Sequence, residues 1–304
     1  MIAQLASQIT DFGPYCENSK VLLACSGGAD STFLAHAYRH IAQSCDLPPA
    51  IIAVIDHAQH PDSESLTSTI TASYREFGFE VLTTRINCDS NLNENDMRNH
   101  RYQALQQMAK SVGAAQIFVA HHGDDQAETI LQRIMRGTGI NGLAGMPKRR
   151  VLNDGVELCR PLLGLRRDEI REYLEANDIE WYEDLTNLDV SYATRNKIRH
   201  HVLPQLAEVS TGDPVKALVK LAAEAADWQV AQRELLARGD DFIELPSYIR
   251  RQAIRAELQR LEEKVTPQRL SDIEGALMKK GSAVINTTLR FSTSGKKLLV
   301  VARR

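Results

Sequence analysis

The chain of 304 residues has no apolar run approaching the ~20 residues that a membrane-spanning helix needs. Met1 to Phe12 carries no basic residue ahead of its apolar positions, which argues against a secretory signal. Cysteine is sparse: Cys16, Cys25, Cys45, Cys88 and Cys159 are odd in number and never stand as Cys-x-x-Cys. That spacing argues against a disulfide framework and against a zinc or iron–sulfur knuckle, and makes a reducing cytoplasm the expected home. Internal repeats and low-complexity tracts are absent as well. What remains is ordinary globular composition, 43% apolar and 25% charged, at a length that allows two domains with separate cores.

The net charge of −3 hides an uneven distribution. Residues 191–304 hold 20 Lys and Arg against 13 Asp and Glu, a net +7, and the first 190 residues carry −10. A basic rear suggests contact with a polyanion, although a solvated helical surface accounts for the same charges.

The organising stretch is Val21-Leu-Leu-Ala-Cys-Ser-Gly-Gly-Ala-Asp-Ser31. Val21 to Cys25 read as a buried strand, Ser26-Gly27-Gly28 as a turn, and Asp30-Ser31 as the opening of a helix carrying Phe33, Leu34, Ala37, Tyr38 and Ile41. Strand, small-residue turn and helix start together make an anion site, because free backbone N–H groups and the positive end of the helix dipole face the turn. Gly27 and Gly28 admit a phosphate where a Cβ would stand in the way. Asp30 is placed for a Mg²⁺ on phosphates, and Ser26 and Ser31 for donation to oxygens. No Lys follows the glycines, so this is not a Walker loop. Asp30 or Ser31 as a plain helix cap is the alternative for the same residues.

Apolar strands recur at Ala50–Asp56, Glu80–Thr84 and Ala115–Ala120, separated by helical segments at 63–77 and from Asn93 to about Lys110. Strands that are apolar on both faces and alternate with helices predict a doubly wound parallel sheet, with ligands beyond the strands' carboxyl ends. Asp56-His57 and His121-His122 fall there too. Residues 137–145, rich in glycine, read as a mobile loop, followed by a β-ribbon over 149–158 and helices near 167–176 and 195–208. A boundary at Ser210–Pro214 divides a catalytic domain, 1–210, from a smaller, mainly helical basic domain, 215–304. The latter has helices over 215–238, 247–263 and 267–280 and small strands turning at Ser294-Gly295.

Ala120-His-His-Gly-Asp-Asp-Gln-Ala-Glu-Thr129 gathers imidazoles and carboxylates at a strand end and helix start. Nucleotidyl transfer needs metal ligands and a proton carrier, and this cluster holds both kinds of group. Adjacent His121 and His122 do not face one zinc from a strand, and Asp124 serves equally as the helix cap. Arg98 and Arg101 share a helix face fit for phosphate, or for a surface pair with Glu94. Arg195 and Arg199, four apart, form either a phosphate-binding or a plain basic helix face.

Taken together, Ser26–Ser31, Arg98…Arg101-Tyr102, Ala120–Thr129, Arg136-Gly-Thr-Gly-Ile-Asn-Gly-Leu-Ala-Gly-Met146, Arg160-Pro-Leu-Leu163, Trp181-Tyr-Glu-Asp184 and Arg195-Asn…Arg199-His200 resemble the bacterial tRNA(Ile)-lysidine synthetases, within the N-type ATP pyrophosphatases. The resemblance covers roughly residues 20–205, and the Arg136–Met146 loop is its most specific part. It implies ATP and Mg²⁺ as cofactors, and tRNA(Ile2) with its CAU anticodon and L-lysine as substrates. ATP would adenylate the wobble cytidine, and lysine would displace AMP to leave lysidine, changing the codon read from AUG to AUA.

The same resemblance puts Ser26, Gly27, Gly28, Ala29, Asp30, Ser31, His57, Arg136 and Gly137 at the nucleotide, and Mg²⁺ on Asp30 and Asp125. Arg101 and His121 would join these two carboxylates in catalysis, and Arg195 and Arg199 would hold tRNA. Related thiolating enzymes usually carry Cys-x-x-Cys pairs, absent here. Where the family usually has His-Gly-Leu-Arg, this chain has His57-Ala58-Gln59-His60. The chain ends soon after one helical C-terminal domain and reads as a short form. No membrane association is expected, and a homodimer stays open.

Overall fold

A computed structural model describes all residues except 16–18, 59–61, 87–93, 153, 183–193, 239–240, 294–296 and 303–304, with backbone alone at 94–95. Cys16, Cys88, Gln59-His60, the Asn93 cap, Glu183-Asp184 and the Ser294-Gly295 turn thus lie outside the described residues. Two compact units emerge, Met1–Glu224 and Ala225–Arg304, and the division falls within a long helix beyond the Ser210–Pro214 turn.

The first unit runs α1 (Ile2–Thr10), β1 (Lys20–Ala24), α2 (Ala29–Ala42), β2 (Ala50–Asp56), α3 (Ser63–Glu76), β3 (Glu80–Arg85), α4 (Glu94–Val112), β4 (Ala114–Val119) and α5 (Gly123–Met135). There follow a single turn α6 (Ile140–Leu143), β5 (Arg149–Val151), β6 (Glu157–Cys159), α7 (Arg167–Ala176) and α8 (Thr194–Lys197). A π-helical turn, Ile198–Val202, then leads into α9 (Leu203–Val209) and the long α10 (Pro214–Ala237).

The sheet order is β3-β2-β1-β4-β6-β5, parallel except for β5, which pairs antiparallel at the edge. Central β1 pairs Leu22 with Ile51 on one side and Ile117 on the other. Alternation then sends Val21, Leu23 and Cys25 into the core with Phe33 and Leu34, and Leu22 into the opposite core with Leu105 and Ile117. Two buried faces are why the strands read as continuous apolar runs. The chain winds β1-β2-β3 one way and then returns to lay β4 on the other flank of β1. That reversal makes the carboxyl ends of β1 and β4 the topological switch point.

Three local readings change. Gly28, extended, caps α2 in place of Asp30 or Ser31. His122 caps α5 in place of Asp124, because the Asp124 carboxylate turns away to accept from Arg166 and from the Arg167 N–H. Residues 137–145, expected as a mobile loop, are tethered: Arg133 Nη1 donates to the carbonyls of Gly142 and Gly145, both at 2.8 Å, and Met146 N–H donates to Gln126 Oε1 at 2.7 Å. Gly145 has φ of 61°, and a Cβ there would meet Gln126 Oε1 at 2.5 Å, so the tether needs this glycine.

The second unit packs α11 (Ser247–Arg260) and α12 (Pro267–Lys280) with an antiparallel sheet of β7 (Ser282–Val284), β8 (Leu289–Ser292) and β9 (Leu299–Ala302). Its core gathers Phe242, Ile254, Leu258, Leu277 and Phe291. Thr266 caps α12 by accepting from the Arg269 N–H, and Gly281 closes it in the left-handed conformation. Among the described residues, no helix is long and apolar enough to cross a membrane.

Candidate active site

The switch point opens into a cavity of about 590 Å³ in the first unit. Its floor is the turn between β1 and α2. Ser26 N–H donates to Ser31 Oγ at 3.2 Å, and Ser31 Oγ donates in turn to the Gly28 carbonyl at 2.9 Å, which closes a compact ring. Gly27 stands at φ 82°, where a Cβ would lie 2.7 Å from the Ile70 side chain, so only glycine carries the chain through.

One wall of the site is built from carboxylates and their partners. His122 Nε2 lies 3.5 Å from Asp30 Oδ2 and 3.6 Å from Asp125 Oδ2, and its Nδ1 lies 3.6 Å from Asp124. Burial opposes a charge on this ring, but Asp125, Asp124 and Asp30 outweigh it and hold its pKa up at about 10. Behind it, Glu128 is fully buried (0% exposed) and accepts from both Arg195 and Arg199, while Asp125 Oδ1 accepts from Arg195. Asp124 pairs with Arg166, which also reaches Asp213.

Neighbouring His121 has the opposite fate. Burial pushes its pKa down to about 3 against the pull of Asp125, and its Nδ1 has no hydrogen-bond partner. Adjacent residues on an extended segment point apart, so one imidazole is a neutral group on the cavity and the other a cation inside the carboxylate cluster.

The opposite wall comes from α4. The guanidiniums of Arg98 and Arg101 lie over the Tyr102 ring at 5.4 and 5.8 Å, and Arg98 Nη2 donates to the phenol oxygen at 3.4 Å. Arg160, 2% exposed, donates from Nη1 to the Pro147 carbonyl at 2.8 Å, and its charge helps hold the pKa of the phenol down.

A strand, a Ser-Gly-Gly turn and a helix start at the switch point of a parallel sheet is an arrangement that other proteins share. Residues 1–206 match the model of the PP-loop domain. The chain belongs to the PP-loop family. It is related to the tRNA(Ile)-lysidine synthases: it is 36% identical to that of Pseudomonas aeruginosa over 196 residues, 64% of this chain and 43% of the relative. With the synthase of Ruegeria pomeroyi it shares 34% over 232 residues, 73% of this chain and 54% of the relative. The chain thus spans about half the length of the curated relatives it matches. Among solved structures, the U34-tRNA thiolase NcsA of Methanococcus maripaludis, with its iron–sulfur cluster, shares the fold at a TM-score of 0.60 and 15% identity. That match covers 73% of this chain and 78% of the thiolase chain.

The PP-loop cavity gathers Ser26, Gly28, Ala29, Asp30 and Ser31 with His57, Arg101, His121 and Arg199. Arg136 and Gly137 are exposed and do not line it. Arg195 and Arg199, expected to hold nucleic acid, pair with the buried Glu128. Asp125, expected beside a metal ion, has both oxygens engaged: Oδ1 by Arg195, and Oδ2 by the His122 N–H at 3.0 Å.

The PP-loop family works on ATP with Mg²⁺, and Asp30 fits such a complex, because its Oδ1 is buried with no protein partner. Among the described residues no set of three His, Cys, Asp or Glu side chains forms a cage for a metal. Mg²⁺, which takes one or two carboxylates together with substrate phosphates, would meet the chain through Asp30. Arg160 and Arg166 were absent from the site residues expected on sequence grounds. The first lies in the quoted Arg160–Leu163 string, whereas the second had no local signal.

Proposed function

We propose that this PP-loop protein is an ATP-dependent tRNA(Ile)-lysidine synthetase. The observation that carries the proposal is the meeting, in one cavity, of the PP-loop turn with His121 and Arg101 of α4. Relatives at 34–36% identity that are lysidine synthases support the same reading.

The wobble cytidine of the CAU anticodon offers its C2 oxygen to the α-phosphorus of ATP, and pyrophosphate leaves. The ε-amine of lysine then attacks C2 and loses a proton, and AMP departs with the former cytidine oxygen. Adenylation matters because it turns a poor oxygen leaving group into a good one. The product pairs with A instead of G, which moves the tRNA from AUG to AUA and from methionine to isoleucine.

In this mechanism the Ser26–Ser31 turn binds the pyrophosphate through backbone N–H groups and hydroxyls. Asp30 would hold Mg²⁺, which neutralises charge on the leaving pyrophosphate. Arg101 faces negative charge near the α-phosphate. His121, neutral and with Nδ1 free, takes up a proton as phosphate charge beside it raises its basicity. The basic rear unit grips the tRNA backbone by charge.

The test is pyrophosphate release by the full chain with a tRNA(Ile2) transcript and each of the twenty amino acids in turn. Release that depends on the CAU transcript, with labelled lysine alone joined to the tRNA, is the expected result. No transcript-dependent release, another amino acid in the product, or sulfur in the product overturns the proposal.

A further inference from the structure

The α4 wall is cationic where it meets the cavity, through Arg101. Among the described residues, Arg98, Arg101 and Arg160 make no ion pair with a carboxylate, in contrast to the three arginines of the α5 wall. What they share is the phenol of Tyr102, itself almost fully buried and on the cavity. Arg98 donates to the phenol oxygen at 3.4 Å, and a guanidinium is a donor only. The Tyr102 oxygen therefore acts as acceptor toward Arg98. Its own hydrogen is left over, and the arginines have no acceptor to offer it.

We propose that Tyr102 is a hydrogen-bond donor to an anionic phosphate oxygen of the nucleotide in the PP-loop cavity, with Arg98 as the positioning residue that aims it. The proposal rests on the reading of the cavity as an ATP site. Arg98 is suited to the task because its guanidinium both lies over the ring at 5.4 Å and donates to the phenol oxygen. Burial works to raise the pKa of Tyr102, but Arg98, Arg160 and Arg101 outweigh it and leave the phenol more acidic than an ordinary tyrosine. A more acidic O–H is a stronger donor to an oxyanion. Arg101 and Tyr102, adjacent on α4, then present a charge and a directed donor to the same phosphate.

The experiment titrates the full chain with Mg·ATP by calorimetry and measures tRNA-dependent pyrophosphate release, for wild type, Tyr102→Phe, Arg98→Lys and the double variant. Tyr102→Phe should weaken ATP binding about tenfold, the scale of a lost bond to a charged group. Turnover should fall by about a hundredfold, as when one preorganised donor is lost. Arg98→Lys should weaken ATP binding in the wild-type background and add nothing to Tyr102→Phe, a dependence that a merely structural role would not show. Arg98→Lys leaves the ring in place and decides the matter if Tyr102→Phe does not fold, since unchanged ATP affinity then overturns the proposal. ATP affinity and turnover unchanged in folded Tyr102→Phe overturn the proposal, and equal losses from Arg98→Lys in both backgrounds overturn the aiming role. Wild type that binds ATP without transcript-dependent release ends the lysidine reading alone, and the affinities still decide Tyr102. Wild type that binds no ATP ends both.

Discussion

The two walls of the PP-loop cavity are both dense in charge, and they differ in whether that charge is closed. On the α5 side every carboxylate has found a cation: Asp124 has Arg166, Glu128 has Arg195 and Arg199, and His122 lies among Asp30, Asp124 and Asp125. On the α4 side Arg98, Arg101 and Arg160 converge on a neutral phenol. A closed cluster pays its desolvation internally and stiffens the fold. An open one keeps its attraction for a ligand that brings the missing charge. Mutation should therefore read as stability on one wall and as binding on the other.

The largest effect is expected from opening the closed wall. Arg195→Met with Arg199→Met leaves Glu128 buried without a cation, and urea unfolding should show a loss of about 3–5 kcal/mol. A loss below ~1 kcal/mol would mean that the carboxylate is not held as described. Asp30 stands where the two kinds of wall meet, with one oxygen near His122 and the other free. Asp30→Asn should cut turnover about a hundredfold or more with the melting temperature kept. Near-normal turnover would end its role at the metal.

A subtler effect concerns pH in magnesium-free buffer. The pKa of His122 rises from 6.5 unfolded to about 10 folded, so its stabilisation is complete below 6.5 and is lost as pH climbs toward 10. In His122→Gln the fall in melting temperature between these limits should flatten. An unchanged slope would show that the imidazolium is not the group titrating.

The smallest effect separates a paired from an unpaired arginine. Arg136→Ala removes an exposed side chain and should lower the salt dependence of tRNA binding by about one unit of slope. Arg199→Ala, committed to Glu128, should change stability and leave the slope alone. If Arg199→Ala shifts the slope instead, the ion pair opens to RNA.

The amino-acid sequence alone was enough to foresee the strands from β1 to β4, the helices between them and the turn over the phosphate site. Each depends on neighbours within a few residues, through apolar period, glycine and hydroxyl placement. Gly27 is a case in point, since a strand running into Ser-Gly-Gly leaves the chain little choice. Which partner each charged group meets was settled by tertiary structure. Spacing showed Asp124 as a cap, yet it binds Arg166, 42 positions away, and Glu128 meets Arg195 across 67. Arg195 and Arg199 looked like a free basic face because their acids lie on another helix. Charges act through space, in a dielectric that only burial sets, so their roles become defined once the chain has closed around them.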